Sequence, residues 1–396
     1  MKILLLKTFA RVAERRKYNL QEEGIAKEFI RQGHECSLVF YSGEKEHREE
    51  IVSFDGDKKF LIHWTPAAKI HDYCFFNKKI LRPLVKQADI ILTEEFEQWE
   101  SCFLALTYPH KTIIYNGPYD LSQKVTPWKA LDVIRIGGLK RTIRIGIKAI
   151  HEAVFLKKML RKNITIVTKS NLAQKTIESK GFRNVRVVPV GLDIEKFNGY
   201  VETVPIRTDL AALPLLYVGE IQFRRDIIFM LKLVRRLRDE GVPATLRLVG
   251  SGPDNYVDAC KRLCRELNIE AYVEFSGQIE QASLPGIYKG HPVFLLPSKY
   301  EIFGMSMLEA MFFGGIVLTT FHGGSDIVIQ NAVNGFILRD NDQDSWAKTL
   351  IAIHKNKIDV GKISENARLT VINDYTWKKS AAKFIEIFED KRRENR

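Results

Sequence analysis

The chain contains no long hydrophobic run. The apolar stretch in Met1-Lys-Ile-Leu-Leu-Leu-Lys7 is too short for the core of a secretory signal, so no secretory leader is expected in this region. Residues 302–325 are rich in apolar side chains, but Glu309, Gly314-Gly315 and Gly323-Gly324 interrupt them. A carboxylate in lipid is costly, so the segment reads as helix, turn, strand and turn in a protein core. Cysteine is scarce: five residues in 396, odd in number and without metal-ligand spacing. A disulfide scaffold and a zinc-finger framework are therefore excluded, and a reducing cytoplasm is expected. Cys260 and Cys264 share a helix face and are read as packing residues. Low-complexity tracts and short repeats are also absent.

What is present is the composition of a folded protein, 45% hydrophobic and 28% charged. The length exceeds one ordinary core and fits two domains. Acidic residues are few in one part of the chain. The formal net charge is +13, and residues 101–200 hold 18 Lys/Arg against 6 Asp/Glu. An excess so localised implies a polyanionic partner: nucleic acid, an anionic membrane or a phosphate-bearing substrate.

Short apolar runs alternate with helical stretches. Lys2–Leu6, Ser37–Phe40, Ala88–Leu92, Lys111–Tyr115, Ile164–Val167 and Val185–Val188 read as strands of a first series. Asn19 is expected to cap the first helix, with Glu22 completing a capping box and Ile25, Phe29 and Ile30 facing inward. After a polar bridge over 198–209, a second series follows: 214–218, 245–249, 273–275, 292–296 and 315–318, with amphipathic helices at 227–238 and 256–267. The expectation is two doubly wound α/β domains, 1–197 and 205–375. Ligands of such sheets bind beyond the carboxyl ends of the strands, and two sheets facing each other place a site in the cleft between them.

The segment Pro297-Ser-Lys-Tyr-Glu301-Ile-Phe-Gly304-Met-Ser306-Met-Leu-Glu309 carries the most chemistry. A strand runs into a glycine-bearing loop that opens a helix, whose first amides and dipole favour an anion. Gly304 permits close approach to the backbone. From the residues alone two readings stay open. Glu301 and Glu309 bind sugar and ribose hydroxyls, or Glu301 caps the helix and Glu309 reaches solvent or a basic partner.

Glu-x7-Glu within Pro-Ser-x-x-Glu-x-Phe-Gly, followed by Ala-Met-x-x-Gly and Gly-Gly, resembles the donor site of the GT-B glycosyltransferases of family 4. So do Val218-Gly219, Val249-Gly250-Ser-Gly-Pro253, Phe275-Ser-Gly277, Gly323-Gly-Ser-Asp-Ile-Val328 and Asn334-Gly-Phe336. Val188-Pro-Val-Gly-Leu-Asp193 with Phe197 resembles the hinge leader. Gly33-His34-Glu35 and Tyr375-Thr-Trp377 match near the two ends. The resemblance implies two Rossmann-like domains, an acceptor-binding first one and a donor-binding second, with a terminal helix over 376–396 returning to the first. It further implies transfer from a nucleoside diphosphate sugar with retention of configuration, without a metal or other cofactor. Glu301 would bind the donor sugar near the amides of Phe303 and Gly304. Gly304, Met305 and Ser306 would offer amides to the diphosphate, and Glu309 would take the ribose. Arg225, assisted by Arg224, would grip the leaving diphosphate. Gly219 and Gly250 would line the site, with the base near Gln278 and Ile279.

Three positions depart from the family pattern. Glu220 stands where an arginine is usual, Arg15-Arg-Lys17 replaces a glycine pair, and Asn116 stands near the place of a histidine. Asn116 offers a hydrogen bond to a sugar hydroxyl but no general base.

Residues 124–162 combine a basic face with Leu139, Ile143, Ile147, Ile150 and Val154 at helical spacing. The pattern is expected either to pack as a core helix or to dock, with Trp128, on an anionic membrane. Peripheral attachment to the inner face of the plasma membrane and a lipid-linked or glycan acceptor of surface polysaccharide or lipopolysaccharide agree with each other. The rival readings are a nucleic-acid-binding protein, another GT-B enzyme (an epimerase or soluble glycan synthase) and an inactive GT-B scaffold.

Overall fold

The computed structural model describes residues 1–8, 20–70, 73–118, 152–200, 212–340 and 342–394. The chain divides into two units, Met1–Gly191 with Trp377–Arg396, and Leu192–Thr376.

The first unit is built on an eight-stranded sheet in the order β10-β9-β8-β7-β1-β2-β4-β3. β1 is Lys2–Leu6, β2 Glu35–Tyr41, β3 Arg48–Phe54, β4 Lys58–Thr65, β7 Ile90–Glu94, β8 Thr112–Asn116, β9 Thr165–Thr168 and β10 Val185–Val187. A separate antiparallel pair joins β5, Ala67–Ile70, to β6, Tyr73–Phe76. Ile3 to Leu6 are all buried, as befits a parallel strand covered on both faces. β1 pairs in parallel with β2 on one side and with β7 on the other, so the strand order reverses between β1 and β7.

Helix Gln21–Arg31 packs against helix Trp377–Arg393, the last described helix of the chain. Phe29 lies 6.3 Å from Phe384 and 5.5 Å from Phe388, ring centre to ring centre. Gly24 makes this approach possible, because a Cβ there would sit 2.4 Å from the Trp377 indole.

The expected capping box at the start of the first helix is not what engages Glu22. Its carboxylate pairs with Lys7 Nζ at 2.6 Å, and the residue before the helix, Leu20, supplies no side-chain cap. Asn19 lies outside the described residues, as do Arg15-Arg-Lys17 and 119–151, which carry most of the basic segment. Within its described end, Val154 is 42% exposed while Phe155 and Met159 are buried, so the apolar face runs through the latter two.

The second unit is a six-stranded, wholly parallel sheet in the order β13-β12-β11-β14-β15-β16. β11 is Leu213–Val218, β12 Ala244–Val249, β13 Val273–Gly277, β14 Val293–Leu296, β15 Ile316–Thr320 and β16 Phe336–Leu338. Here the order reverses between β11 and β14, so the loops after these two strands flank the crevice where ligands of such sheets bind. Helices Ile227–Asp239, Asp254–Glu266 and Met305–Phe312 fall close to the expected positions. All five cysteines are free and buried, consistent with packing. Among the described residues no helix is long and apolar enough to cross a membrane.

Candidate functional site

The C-terminal edge of the second sheet is made of three adjoining glycine turns. Gly219 (φ 154°), Gly250 (φ 136°) and Gly277 (φ 67°) end or follow β11, β12 and β13. The Gly219 amide donates to the Val249 carbonyl at 2.9 Å, and that of Gly250 to the Gly277 carbonyl at 2.7 Å. A Cβ on Gly250 would lie 1.9 Å from the Gly219 carbonyl oxygen. Backbone thus packs on backbone along this edge. Beyond it Gln278 is exposed and Ile279 half-buried.

Two loops meet across the strand-order reversal. After β11 the chain makes a short turn, Phe223–Arg225, and after β14 it runs through Pro297 to Gly304. Arg225 Nη1 forms an ion pair with Glu301 Oε2 and donates to Ser298 Oγ at 3.2 Å. Arg224 Nη1 donates to the Tyr300 carbonyl at 3.1 Å and stands 3.7 Å from Glu301 Oε2. The Lys299 amide donates to the Arg224 carbonyl at 2.9 Å, which fastens the loops by main chain as well. Glu301 is only 9% exposed, and burial draws the Arg225 pKa below its ordinary value. A guanidinium nevertheless stays charged, and its carboxylate partner offsets the cost of desolvation.

Gly304 (φ 86°) starts the helix Met305–Phe312 in the left-handed conformation. Its carbonyl accepts the amides of Met307 at 3.0 Å and Leu308 at 3.3 Å, so those of Met305 and Ser306 have no acceptor within the helix. Glycine at 324 lets the following loop close on this one, since a Cβ there would be 1.6 Å from the carbonyl oxygen of the buried Phe303. His322 braces the arrangement from below. Its Nδ1 accepts the amides of Gly324 and Ser325, both at 3.2 Å, and its Nε2 lies 3.0 Å from Thr319 Oγ1. Burial and the Arg225 charge press its pKa down to about 3, which keeps the ring neutral and fit to accept.

Glu309, one turn into the helix, does not reach solvent. Its Oε2 accepts from the Tyr288 hydroxyl at 2.7 Å, and burial lifts its pKa to about 7 against the opposing pull of Tyr288 and Lys196. Tyr288 is fixed by stacking on Phe313, 5.6 Å between ring centres. The structure therefore brings Arg224, Arg225, Glu301, Phe303, Gly304, Met305, Ser306 and Glu309 onto two neighbouring loops and one helix. Glu220 is exposed, with its carboxylate taking a hydrogen bond from Gln222.

Asn116 belongs to the first unit, at the end of β8. Its Oδ1 accepts the Phe96 amide at 3.1 Å and its Nδ2 donates to the Pro118 carbonyl at 3.0 Å, so both ends of the amide brace main chain. Around the strand-order reversal of this sheet lies a charged cluster that the sequence reading missed. Lys7 follows β1, Glu94 ends β7, and Glu22 comes from the first helix. Burial and the facing Glu22 carboxylate raise the Glu94 pKa, whereas Lys7 holds Glu22 ionised. Glu95 is 5% exposed, has a left-handed backbone (φ 59°) rare for a side-chain-bearing residue, and is lifted to about 7 by burial. Its Oε2 is buried without a hydrogen bond. A buried carboxylate with this backbone at a sheet's ligand-binding end is a candidate functional position. The available signal was Glu94-Glu95, one residue after the apolar Ile90–Leu92.

Residues 211–370 match the family model described as Glycosyl transferases group 1. An uncharacterized glycosyltransferase of Methanocaldococcus jannaschii is 23% identical over 384 residues, 93% of this chain and 92% of the relative. The chain spans between 42% and 60% of the length of the next four relatives. A glycosyltransferase from Rickettsia africae superposes with a TM-score of 0.70 at 17% identity, covering 98% of each chain. Anabaena HepE, solved in complex with UDP, superposes with a TM-score of 0.67 at 15% identity, over 98% of this chain and 100% of its own. Two Rossmann-like α/β domains with these neighbours define a GT-B glycosyltransferase fold. Residues 211–370 thus match the group 1 glycosyl transferases, and along nearly its whole length the chain is similar to a protein named as a glycosyltransferase.

Proposed function

We propose that this chain is a retaining, family 4 enzyme that moves a sugar from a nucleoside diphosphate sugar to a glycan or lipid-linked acceptor, without a metal ion. The observation that carries the reading is the Arg225–Glu301 pair at the mouth of the glycine-started helix. In this reading the donor's diphosphate takes over the Arg225 guanidinium and lies against the Met305 and Ser306 amides. Glu301, released from its partner, accepts from the sugar hydroxyls, and Glu309 from the ribose. Gln278 and Ile279 lie beside the base. In the transfer step the bond from the anomeric carbon to the phosphate oxygen breaks and a bond to the acceptor oxygen forms on the same face. The acceptor's proton passes to the departing phosphate oxygen. The protein contributes positioning and stabilisation of the charge that develops on the diphosphate.

In the first unit, the cluster of Glu94 and Glu95 is the place for acceptor hydroxyls, with Asn116 shaping the loop rather than acting on the proton. Together with the basic composition of 124–162, a lipid-linked acceptor and attachment to an anionic inner membrane face fit best, in bacterial surface polysaccharide assembly. A panel of nucleoside diphosphate sugars tests the reading. One of them should raise the melting temperature, and the anomeric configuration of its transferred sugar, read by NMR, should match that of the donor. An inverted product sinks the family 4 placement. Flotation with anionic but not neutral vesicles tests the membrane attachment.

A further inference from the structure

The edge of the first sheet holds a second cluster of chemistry-bearing side chains, unrelated to the transfer reaction. β3 ends the sheet and pairs antiparallel with β4, in a register that sets Glu49 opposite His63. His47 stands two residues before Glu49, and alternation along an extended chain puts both on one face. Its Nδ1 lies 3.4 Å from the hydroxyl of Thr65, two residues beyond His63 on the same face of β4. His47, just before β3, therefore converges with Glu49 of β3 and His63 of β4.

The separations are those of ligands around a common ion. His63 Nδ1 is 3.1 Å from Glu49 Oε1, and His47 Nε2 is 3.6 Å from the same oxygen. Ligand atoms about 2.1 Å from a tetrahedral zinc ion stand about 3.4 Å from one another, midway between these two distances. One donor atom from each residue lies within 4.8 Å of the other two, so a small turn of the imidazoles closes the third edge. The two rings already stack nearly parallel, 13° between planes and 5.6 Å between centres. His63 is 4% exposed, and its buried Nδ1 faces the Glu49 carboxylate without a well-aligned hydrogen bond between them. An ion placed between the two would engage both atoms at once. Glu49, by contrast, has 55% of its side chain exposed, which gives an ion a route in from solvent.

We propose that His47, Glu49 and His63 bind one borderline divalent transition cation of the zinc class, leaving a fourth position for water or an outside ligand. Two imidazoles and a single carboxylate suit zinc, nickel or copper. Magnesium and calcium call for more oxygen donors. An ion here clips the edge strand β3 to β4, so it acts on the stability of the sheet edge and not on donor binding.

The test uses the full chain, stripped with chelator and then dialysed against zinc or magnesium. Metal content is read by elemental analysis, affinity by competition with a chromophoric chelator, and stability by thermal unfolding. The variants are Glu49→Gln and the double change His47→Ala with Glu49→Gln, which leave the buried His63 in place and so spare the core. The wild-type chain should take up about one equivalent of zinc and none of magnesium, with a raised melting temperature. Glu49→Gln should weaken binding about tenfold or more, and the double variant should lose it while its metal-free melting temperature stays near that of the wild type. Failure of the wild type to bind stoichiometric zinc overturns the proposal. So does undiminished zinc binding by the double variant, which would send the ion to other residues.

Discussion

Arg225 and Glu301 meet as a buried ion pair across the strand-order reversal of the second sheet, one from the loop after β11 and the other from the loop after β14. The pair closes the gap between two loops and sets a positive group beside a helix start whose first amides have no acceptor within the helix. Removing one partner leaves the other charge buried. Glu301→Ala should therefore lower the stability of the ligand-free chain by about 3 kcal/mol, measured by urea unfolding. A nucleoside diphosphate should recover part of that loss, because it offers Arg225 a new anionic partner.

The glycine turns give an independent check on the same edge. Gly250→Ala directs a methyl group at the Gly219 carbonyl oxygen, 1.9 Å away, and main chain cannot step aside. The expected cost is about 3 kcal/mol or more. Gly286 lies within the helix Leu284–Gly290 with nothing within 4 Å of a Cβ. Gly286→Ala should instead stabilise by about 0.5–1 kcal/mol. Unfolding curves of the two variants separate glycines that the fold requires from one that it does not.

Stability should fall as the pH rises from about 5 to above 8. Glu95, Glu100 and Glu309 are each lifted by burial from 4.5 to about 7, and Glu94 is raised further by its Glu22 neighbour. A raised folded-state pKa contributes stability that is fully present below the unfolded value and is lost as pH rises through the folded one. Glu22 is lowered to about 2, so its contribution is lost only in acid, below about 4. Glu94→Gln carries no titrating proton there and should flatten the decline in melting temperature between pH 6 and 9. An unchanged slope would contradict the assignment of a buried, protonated Glu94.

Glu309 makes a separate pH prediction for binding. An ionised carboxylate accepts from two vicinal hydroxyls more strongly than a neutral acid. Nucleoside diphosphate affinity should therefore rise between pH 6 and 8 as Glu309 loses its proton, and Glu309→Gln should bind more weakly with no such rise. Calorimetric titration at several pH values reads both outcomes.

The fold was legible where apolar runs were short and covered on both faces. β1, β8, β11, β12 and β14 all announce themselves that way, and the loop from Pro297 to Gly304 followed from its glycine and its place after a strand. The outer hairpin of β3 and β4 was not legible by that criterion, because β3 opens on three charged residues, Arg48, Glu49 and Glu50, and lies at a sheet edge. Its signal was Asp55-Gly56, both left-handed at 45° and 76°, a pairing that favours a tight hairpin turn. In the site, Arg225 and Glu301 were each singled out, yet their mutual contact depends on the strand order and not on spacing. Asn116 shows the converse. Its position suggested contact with a sugar, while its amide proves to be engaged by the Phe96 and Pro118 main chain. Lys7, Glu22, Glu94 and Glu95 come from three separate segments, and no local pattern announces a cluster assembled by tertiary packing.

The most direct test of the account is a calorimetric titration of nucleoside diphosphates into the wild-type chain and into Arg225→Ala, each first shown to be folded. The account predicts that one nucleoside diphosphate binds the wild type and binds Arg225→Ala about 10–100-fold more weakly, the worth of a charge-assisted hydrogen bond. Equal affinity in the two proteins, or no binding of any nucleoside diphosphate to the wild type, would contradict it.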